Sequence, residues 1–324
     1  MPCNIALIGT GGIVQDAHAP AIQLAPSVQL WSVLSRNMSR AREFAKSHAA
    51  CSTEPAHDTL DSLLSDPELH AVLIATPDRL HCSQAVAAAE AGKHVLLEKP
   101  IATTLEDARA IVDACEQNGV TLGLCYHLHW HDGHRQIVSR AHAGEFGELR
   151  HVRAMWTWHA PDGYNWRASS ELGRWWSLAG VGTHCLDLAR WTLSPSCGEI
   201  SELSSTVTKK YWGGPHDETA ILSGRFESGA TMELCSSVLF DAPTRFEIYG
   251  SKGFAICEST LGRHGAGQIW TDSGAVEFEV KNPFIGLIED FCEAIKERRP
   301  PEVSGAEACR NIEFLLRADP LDAG

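Results

Sequence analysis

The first part of the chain, up to Cys125, alternates short aliphatic runs with longer segments of helical character. The aliphatic runs are Asn4–Ile8, Gln29–Leu34, Ala71–Ala75, His94–Leu97 and Thr121–Cys125. Between them, helices are predicted at Met38–Ala49, Leu80–Glu90 and Leu105–Gln117. Strands that are separated by helices pair in parallel, because a parallel neighbour needs a crossover of this length. The pattern therefore predicts an α/β fold with a doubly wound parallel sheet.

After about Tyr126 the pattern changes to longer segments in which apolar and polar residues alternate. These segments are Leu149–Trp158, Ile200–Tyr211, Glu218–Phe226, Ala230–Val238 and Arg245–Tyr249. Such alternation is typical of strands with one buried face, so it predicts a mostly antiparallel sheet. We therefore expect a Rossmann domain over residues 1–123 and an α+β domain with a large, open, mostly antiparallel sheet over residues 124–324. The last helix is a candidate for packing back on the first domain.

Charge and hydropathy exclude several classes of partner. The formal net charge is −14 and no basic stripe is present, so phosphate backbones would be repelled and no nucleic-acid partner is expected. No apolar run approaches the roughly 18 residues that a membrane span needs, and the chain starts without a charged leader. We therefore expect a cytoplasmic protein without a membrane partner.

A glycine-rich turn, GTGGIV over residues 9–14, follows the first predicted strand. It keeps the first two glycines of the G-x-G-x-x-G fingerprint and has Val14 in the third place, which serves helix packing. The first glycine permits a tight turn and the second a close approach of backbone N–H groups to a pyrophosphate. A glycine turn without a ligand is the alternative interpretation. The predicted dinucleotide-binding residues here are Gly9, Gly11, Gly12 and Ile13.

The end of the second predicted strand indicates which dinucleotide is preferred. A carboxylate at this place would bind the ribose 2′-hydroxyl of NAD and repel the 2′-phosphate of NADP. The chain has Ser35 and Arg36 there, with Arg40 nearby, and no Asp or Glu between Val28 and Arg42. Because guanidinium groups suit a phosphate, we expect NADP to be preferred, with NAD as the alternative.

Five short motifs follow one another in an order that is specific as a set. They are the glycine turn with His18-Ala19-Pro20, Ile74-Ala75-Thr76-Pro77 with His81, Glu98-Lys99-Pro100, Gly182-Thr183-His184-Cys185-Leu186-Asp187, and Ile248-Tyr249-Gly250-Ser251-Lys252-Gly253. In these motifs the chain resembles, over its whole length, the glucose–fructose oxidoreductase, inositol dehydrogenase and rhizopine catabolism (Gfo/Idh/MocA) family of NAD(P)-dependent oxidoreductases.

The resemblance implies roles for residues that follow the fourth and fifth strands of the first domain, where open α/β sheets bind ligands. It implies that Glu98 contacts the nicotinamide ribose and that Lys99 hydrogen-bonds the reacting oxygen. A cis bond between Lys99 and Pro100 is expected to aim the lysine. The other cofactor-binding residues that it implies are Ala75, Thr76, Pro77 and His81.

The resemblance also implies an acid/base histidine in the second domain. His184 and Asp187 stand three residues apart on a predicted helix, so both can face one pocket. Imidazole exchanges protons near neutral pH, so His184 is the predicted acid/base and Asp187 a predicted substrate ligand. The alternative is that His184 packs or caps the helix and that Asp187 bonds a neighbouring group.

One position departs from the family pattern. The sugar-alcohol dehydrogenases of the family commonly carry an aspartate four residues before the histidine, where this chain has Gly180. The substrate is therefore expected to differ from the best-known cyclitols. Other residues expected to contact the substrate are Trp166, Arg167 and His127, and Trp175 and Trp176 are expected to extend the same wall.

Alternating histidines over residues 127–134 suggest a metal site as an alternative. The family that the chain resembles uses no catalytic metal, and imidazoles near a sugar often serve as hydrogen-bond donors. The closest pair of the eleven cysteines, Cys115 and Cys125, is too widely spaced for a structural zinc motif. We therefore expect no metal.

Together these expectations describe an NAD(P)-dependent oxidoreductase that acts on a CH–OH group of a sugar or polyol. Two alternatives remain open: a glycosidase that oxidises its substrate transiently with bound NAD, and a non-catalytic sensor that keeps the dinucleotide site. In the family, the open face of the second sheet commonly packs against a partner, so a homodimer or homotetramer is expected.

Overall fold

The computed structural model describes residues 2–160 and 166–319. The ends of the two predicted domains, residues 1 and 320–324, lie outside the described residues, as does the segment 161–165. The chain divides into two compact units. The first runs from the start of the chain to Tyr126 and includes Phe284–Ile312, and the second contains His127–Pro283 and the residues after Ile312.

The first unit contains a six-stranded parallel sheet. Its strands are β1 (Cys3–Ile8), β2 (Val28–Leu34), β3 (Ala56–His57), β4 (Ala71–Ile74), β5 (His94–Leu97) and β6 (Leu122–Leu124), in the order β3-β2-β1-β4-β5-β6. The chain runs outward from β1 to β3 and returns to β4 on the other side of β1. Such a reversal of strand order marks the ligand-binding edge of a doubly wound sheet. The predicted α/β fold is confirmed.

Nine α-helices are present among the described residues. They are α1 (Ala19–Leu24), α2 (Met38–Ser47), α3 (Leu60–Leu64), α4 (His81–Glu90), α5 (Leu105–Gln117), α6 (Asp132–His142), α7 (Thr183–Cys197), α8 (Pro283–Glu297) and α9 (Gly305–Ala318). Helix α5 begins where Thr104 accepts a hydrogen bond from the backbone N–H of Asp107 at 3.1 Å. None of the helices in the described ranges is both long and apolar enough to cross a bilayer.

Helix α8 packs on the sheet of the first unit at a glycine. A Cβ atom on Gly123 in β6 would lie 2.9 Å from the ring of Phe291 and 3.2 Å from Leu96. The absence of a side chain therefore lets α8 approach β6 closely. This contact explains why α8 groups with the first unit although it lies far along the chain.

The second unit is built on an eight-stranded sheet. Its strands are β7 (Leu149–Thr157), β8 (Ile200–Thr208), β9 (Thr219–Phe226), β10 (Thr231–Ser237), β11 (Arg245–Gly250), β12 (Phe254–Glu258), β13 (Gln268–Thr271) and β14 (Gly274–Ala275), in the order β14-β13-β12-β11-β7-β10-β9-β8. All neighbours are antiparallel except β7 and β10. Helix α7 covers one face of β7, and the predicted α+β architecture is confirmed.

Candidate active site

The glycine turn after β1 has the geometry that a pyrophosphate needs. Gly9 has a φ of +112°, and a Cβ there would lie 2.5 Å from the carbonyl oxygen of Ala75, so only glycine fits between the two strand ends. A Cβ on Gly11 would meet no described atom within 4 Å. A Cβ on Gly12 would lie 3.8 Å from Oδ2 of Asp16, an ordinary contact, and Ile13 already has helical dihedral angles. The exposed backbone of this turn therefore fits a dinucleotide phosphate.

A π-helical turn, Val14–His18, follows the glycine turn and leads into α1. Turns of this kind are rare and occur frequently at functional sites. This one ends at His18, whose side chain is fully buried. Its Nε2 lies 2.7 Å from Oε1 of Glu98 and donates to that carboxylate. The turn therefore brings a histidine to the end of β5.

The residues after β2 place an arginine beside the glycine turn. The Asn37 side chain caps α2 by accepting from the backbone N–H of Arg40 at 3.1 Å. The guanidinium of Arg40 donates to the carbonyl oxygen of Thr10 at 2.8 Å. Ser35 is half-buried and Arg36 is exposed at the same strand end. These groups form a polar, positively charged edge next to the turn.

His81, predicted as a cofactor ligand, lies fully buried at the start of α4. Its Nδ1 is 2.9 Å from the carbonyl oxygen of Pro100, and its Nε2 is 3.0 Å from that of Thr76. The ring therefore links the loop after β4, which contains Ala75, Thr76 and Pro77, to the loop after β5. Its side chain supports the two predicted nicotinamide loops through their backbones.

The loop after β5 contains the residues predicted to act on the substrate and the ribose. The Lys99-Pro100 bond is cis, as expected from the family resemblance. Glu98 is 7% exposed, and its Oε2 accepts from the backbone N–H of Lys99 at 3.1 Å while Oε1 accepts from His18. Both carboxylate oxygens are thus held at the carboxyl end of β5.

Cys125 joins this cluster at the end of β6. The ligand atoms of His18, Glu98 and Cys125 lie within 4.8 Å of one another, and these are the described residues that could share a metal ion. Burial and the Glu98 carboxylate raise the pKa of the Cys125 thiol well above its usual value. Within this cluster the hydrogen bond from His18 to Glu98 links two of the three side chains.

The second unit holds the predicted acid/base histidine at the start of α7. A π-helical turn, Leu178–Gly182, directly precedes the helix and contains Gly180. The His184 ring is buried, with its centroid 5.0 Å from that of His127 and 5.2 Å from that of Trp156. His127 in turn donates from Nε2 to the carbonyl oxygen of Gly262 at 3.0 Å. His184 is therefore held between two rings, one of them the predicted substrate ligand His127.

Asp187 lies one turn further along α7 and bonds a residue that sequence analysis did not assign. Its Oδ2 accepts from Nε2 of His129 at 2.8 Å, and both side chains are buried. His129 also stacks on Trp191, with ring centroids 4.1 Å apart. The carboxylate predicted to bind substrate thus has a protein partner, as the alternative interpretation of Asp187 anticipated.

The other alternating histidines have separate partners. Nε2 of His131 donates to the carbonyl oxygen of Ala266 at 3.2 Å, and Nε2 of His134 lies 2.8 Å from the hydroxyl of Thr260. Burial lowers the pKa of His134 well below its usual value, so its ring is neutral. The rings of His131 and His134 stack with their centroids 4.2 Å apart, but their Nε2 atoms contact different partners.

A buried aspartate anchors the turn before α7. Asp217 accepts from the backbone N–H groups of Trp176 and Leu178, each at 2.7 Å, and from the hydroxyl of Ser177 at 2.5 Å. Burial raises its pKa to about 6. These bonds join Asp217, at the start of β9, to the segment that leads to His184, and no local sequence signal pointed to this residue.

The tryptophans expected along the pocket wall differ in their environment. Arg167 stacks over the ring of Trp166 at 4.1 Å, and both residues are half-buried. Trp175 and Trp176 are only 2% and 3% exposed. Trp175 donates to Asp319 at 2.9 Å and Trp176 packs on Trp212. Both tryptophans are thus buried within the second unit, and their place along the substrate wall stays a prediction.

Comparisons with known proteins agree with this architecture. The profile described as the oxidoreductase family with an NAD-binding Rossmann fold matches residues 3–126, and that of the GFO/IDH/MocA C-terminal domain matches residues 134–256. The chain is 27% identical to the 1,5-anhydro-D-fructose reductase of Ensifer adhaerens over 93% of this chain and 90% of the relative. It is 32% identical to the uncharacterized oxidoreductase ORF334 of Rhizobium meliloti over 99% of this chain and 88% of the relative.

Among solved structures, the chain is similar to the aldose-aldose oxidoreductase of Caulobacter crescentus complexed with glycerol. The TM-score is 0.91 at 21% sequence identity, with 100% of this chain and 98% of the other covered. At this identity the likeness concerns the fold. Both units therefore have counterparts in a known two-part oxidoreductase architecture.

Proposed function

This chain belongs to the Gfo/Idh/MocA oxidoreductase family, and on that premise we propose that it transfers a hydride between a nicotinamide cofactor and a CH–OH or carbonyl group of a sugar or polyol. The observation that carries the proposal is the loop after β5. There the Glu98 carboxylate is held by two hydrogen bonds, and Lys99 follows it before a cis bond to Pro100. Relatives that are named as sugar reductases and dehydrogenases support the substrate class.

Each residue then has a defined role in the proposed reaction. The exposed backbone of Gly11 and Gly12, in the turn that Gly9 permits, binds the pyrophosphate, and Glu98 accepts hydrogen bonds from the ribose. When bound, the nicotinamide supplies or accepts the hydride. Lys99 hydrogen-bonds the reacting oxygen, and His184 exchanges the proton of the hydroxyl group. His127, Trp166, Arg167 and Asp187 remain proposed substrate-binding residues.

We propose NADP as the preferred cofactor, with NAD as the alternative. Arg40 beside the glycine turn, together with Ser35 and Arg36, supplies positive charge where a 2′-phosphate would lie, and no carboxylate stands between Val28 and Arg42. The relatives include a D-xylose 1-dehydrogenase named as NADP-dependent, which supports the same preference.

We also propose an oligomeric state and a cellular location. The face of the second sheet that carries Ile221 and Trp270 is proposed to pair with a second copy, giving a homodimer or homotetramer.

A cytoplasmic location is proposed because all eleven cysteines are free thiols, as in a reducing compartment. Cell fractionation tests the location.

The proposed reaction is tested with purified protein, NADPH and NADH, and a panel of sugars, polyols and ketoses. We expect a substrate-dependent change in absorbance at the nicotinamide band that Lys99→Ala reduces by at least about 100-fold, because general-acid and hydrogen-bond assistance contribute at that level. The control is Lys46→Ala, which removes an exposed lysine from α2. Cofactor binding without net turnover would contradict the proposal and favour the glycosidase or the sensor.

A further inference from the structure

The buried cluster at the end of β5 contains a histidine that the proposed reaction does not use. His18 comes from the π-helical turn after the glycine turn, and its side chain has no exposed surface. Its ring packs edge-on against Phe284, with centroids 5.0 Å apart and planes at 85°. The ring position is therefore fixed by packing as well as by the turn.

Among the described residues, the ring of His18 hydrogen-bonds to the carboxylate of Glu98. Nε2 of His18 donates to Oε1 at 2.7 Å, whereas Nδ1 is buried and has no hydrogen-bond partner among the described residues. A neutral ring with its proton on Nε2 satisfies this arrangement, because the unpartnered nitrogen is then a lone pair and not a buried N–H donor. His18 therefore acts on Glu98 as a single hydrogen-bond donor.

The hydrogen bond from His18 fixes the orientation of the whole Glu98 carboxylate and so also affects its second oxygen. The second oxygen of Glu98 accepts from the backbone N–H of Lys99 at 3.1 Å. Rotation of the carboxylate would break that bond and free the backbone at the residue proposed to polarise the substrate.

We propose that His18 is a positioning residue that fixes the Glu98 carboxylate for the nicotinamide ribose and, through it, the backbone of Lys99. This inference rests on the proposed function and deepens it, since it adds a residue that touches neither substrate nor cofactor. Buried charge-assisted hydrogen bonds of this kind are among the stronger ones in proteins, and their partners orient the group that meets the ligand.

The test compares His18→Leu, which keeps a similar volume without a donor, with His18→Gln, whose side-chain amide can donate from nearly the position of Nε2. The readout is NADPH affinity from quenching of tryptophan fluorescence, with kcat and the KM for NADPH measured in parallel. We expect His18→Leu to weaken NADPH binding by about 10- to 100-fold and to lower kcat, and His18→Gln to restore affinity to within about threefold of the wild type.

The matched control is His94→Leu. His94 lies at the opposite, amino end of β5 and accepts from the backbone N–H of Thr121 at 2.9 Å, so its loss should affect stability but not NADPH affinity. Unchanged affinity in His18→Leu, or equal losses in His18→Leu and His18→Gln, would overturn the positioning role while leaving the proposed function intact. A wild-type protein that binds neither NADPH nor NADH would overturn both.

Discussion

Gly180 stands at the position where sugar-alcohol dehydrogenases of the family commonly carry an aspartate. A Cβ here would meet the ring of Trp158 at 3.7 Å, an ordinary contact, so space alone does not require glycine. With glycine at this position the carboxylate is absent, and the His184 ring is flanked by the rings of His127 and Trp156. Because aromatic faces suit the apolar side of a sugar, we expect the proposed sugar or polyol substrate to contact these rings by stacking.

Ser35 offers a direct test of the cofactor preference. In Ser35→Asp a carboxylate would stand at the end of β2, where it repels a 2′-phosphate and can accept from a 2′-hydroxyl. We expect NADPH binding to weaken by at least about tenfold while NADH binding is unchanged or improved. The measurement is a fluorescence titration with each cofactor.

The control for this change is Arg42→Ala, which removes an exposed charge from the same helix, α2, beyond the strand end. It should leave the ratio of the two affinities unchanged. If Ser35→Asp also leaves that ratio unchanged, the 2′-phosphate lies elsewhere and the assigned preference for NADP is wrong.

Some features of the candidate site could be predicted from the sequence, whereas its long-range hydrogen bonds could not. The glycine turn was predictable because it directly follows a strand with the spacing of a known fingerprint, and the cis bond after Lys99 was predictable from the family resemblance. The bonds from His18 to Glu98, from His129 to Asp187 and from Ser177 to Asp217 join residues 80, 58 and 40 positions apart. Only the packed fold brings these partners together, so no local pattern indicates them.

Among the elements, those with strong apolar patterns and clear ends were predicted well. Strand β5 and helix α5 have the predicted bounds, because aliphatic residues fill the strand and Thr104 caps the helix. Helix α6 was not predicted, although its buried residues His134, Ile137, Val138 and Ala141 recur at helical spacing. Because His134 interrupts the apolar stripe, the helical pattern of α6 was not recognised. The two-residue strands β3 and β14 are too short to show any period.

The segment that leads into α7 gives the protein a pH-dependent contribution to stability. Because burial raises the pKa of Asp217 to about 6, the folded protein binds this proton more tightly than the unfolded chain does. The contribution is fully present below about pH 4 and is lost as the pH rises through about 6. At about 1.4 kcal/mol per pKa unit, the change amounts to about 3 kcal/mol.

Asp217→Asn, which is neutral at every pH, isolates this effect. We expect the unfolding free energy of the wild type, measured with urea at pH 4 to 7, to fall relative to that of Asp217→Asn as the pH rises. Any lost hydrogen bond in the variant adds a constant offset and does not alter the slope. If the unfolding free energies of the two proteins run parallel over this pH range, the three hydrogen-bond donors to Asp217 fully compensate for its burial and its pKa is not raised.

The contact between α8 and β6 predicts sensitivity to a single methyl group. In Gly123→Ala the new Cβ would come within 2.9 Å of the Phe291 ring, so this ring or the helix that carries it must shift. We expect a loss of about 1–3 kcal/mol in unfolding free energy, as is usual for overpacked cores. Thermal and urea unfolding measure it.

Gly214→Ala is a suitable control, since a Cβ there would meet no described atom within 4 Å and the backbone has an ordinary φ. It should leave the unfolding free energy within about 0.5 kcal/mol of the wild type. Equal stability of Gly123→Ala and Gly214→Ala would mean that α8 is not held tightly against β6.

At the scale of the whole molecule, the open face of the second sheet carries the prediction of assembly. Ile221 is 44% exposed and Trp270 36% exposed, although both lie in strands. We expect light scattering to give the mass of a dimer or tetramer for the wild type, and Ile221→Glu to shift it towards a smaller species, because a buried charge disfavours the interface.

Leu24→Glu places the same charge on an exposed leucine of the first unit, at 66% exposure, and should leave the mass unchanged. A monomeric wild type would contradict the proposed assembly. If Ile221→Glu keeps the oligomer mass of the wild type, the interface between copies lies on another surface.

Both histidines of greatest interest, His18 and His184, come at or just after a π-helical turn. Such a turn equals an α-helix with one extra residue, and removing that residue would rotate everything beyond it by about 100°. The two segments should therefore be sensitive to the loss of a single codon. Among related genes, insertions and deletions are expected to avoid these two short stretches even where the surrounding sequence has diverged widely.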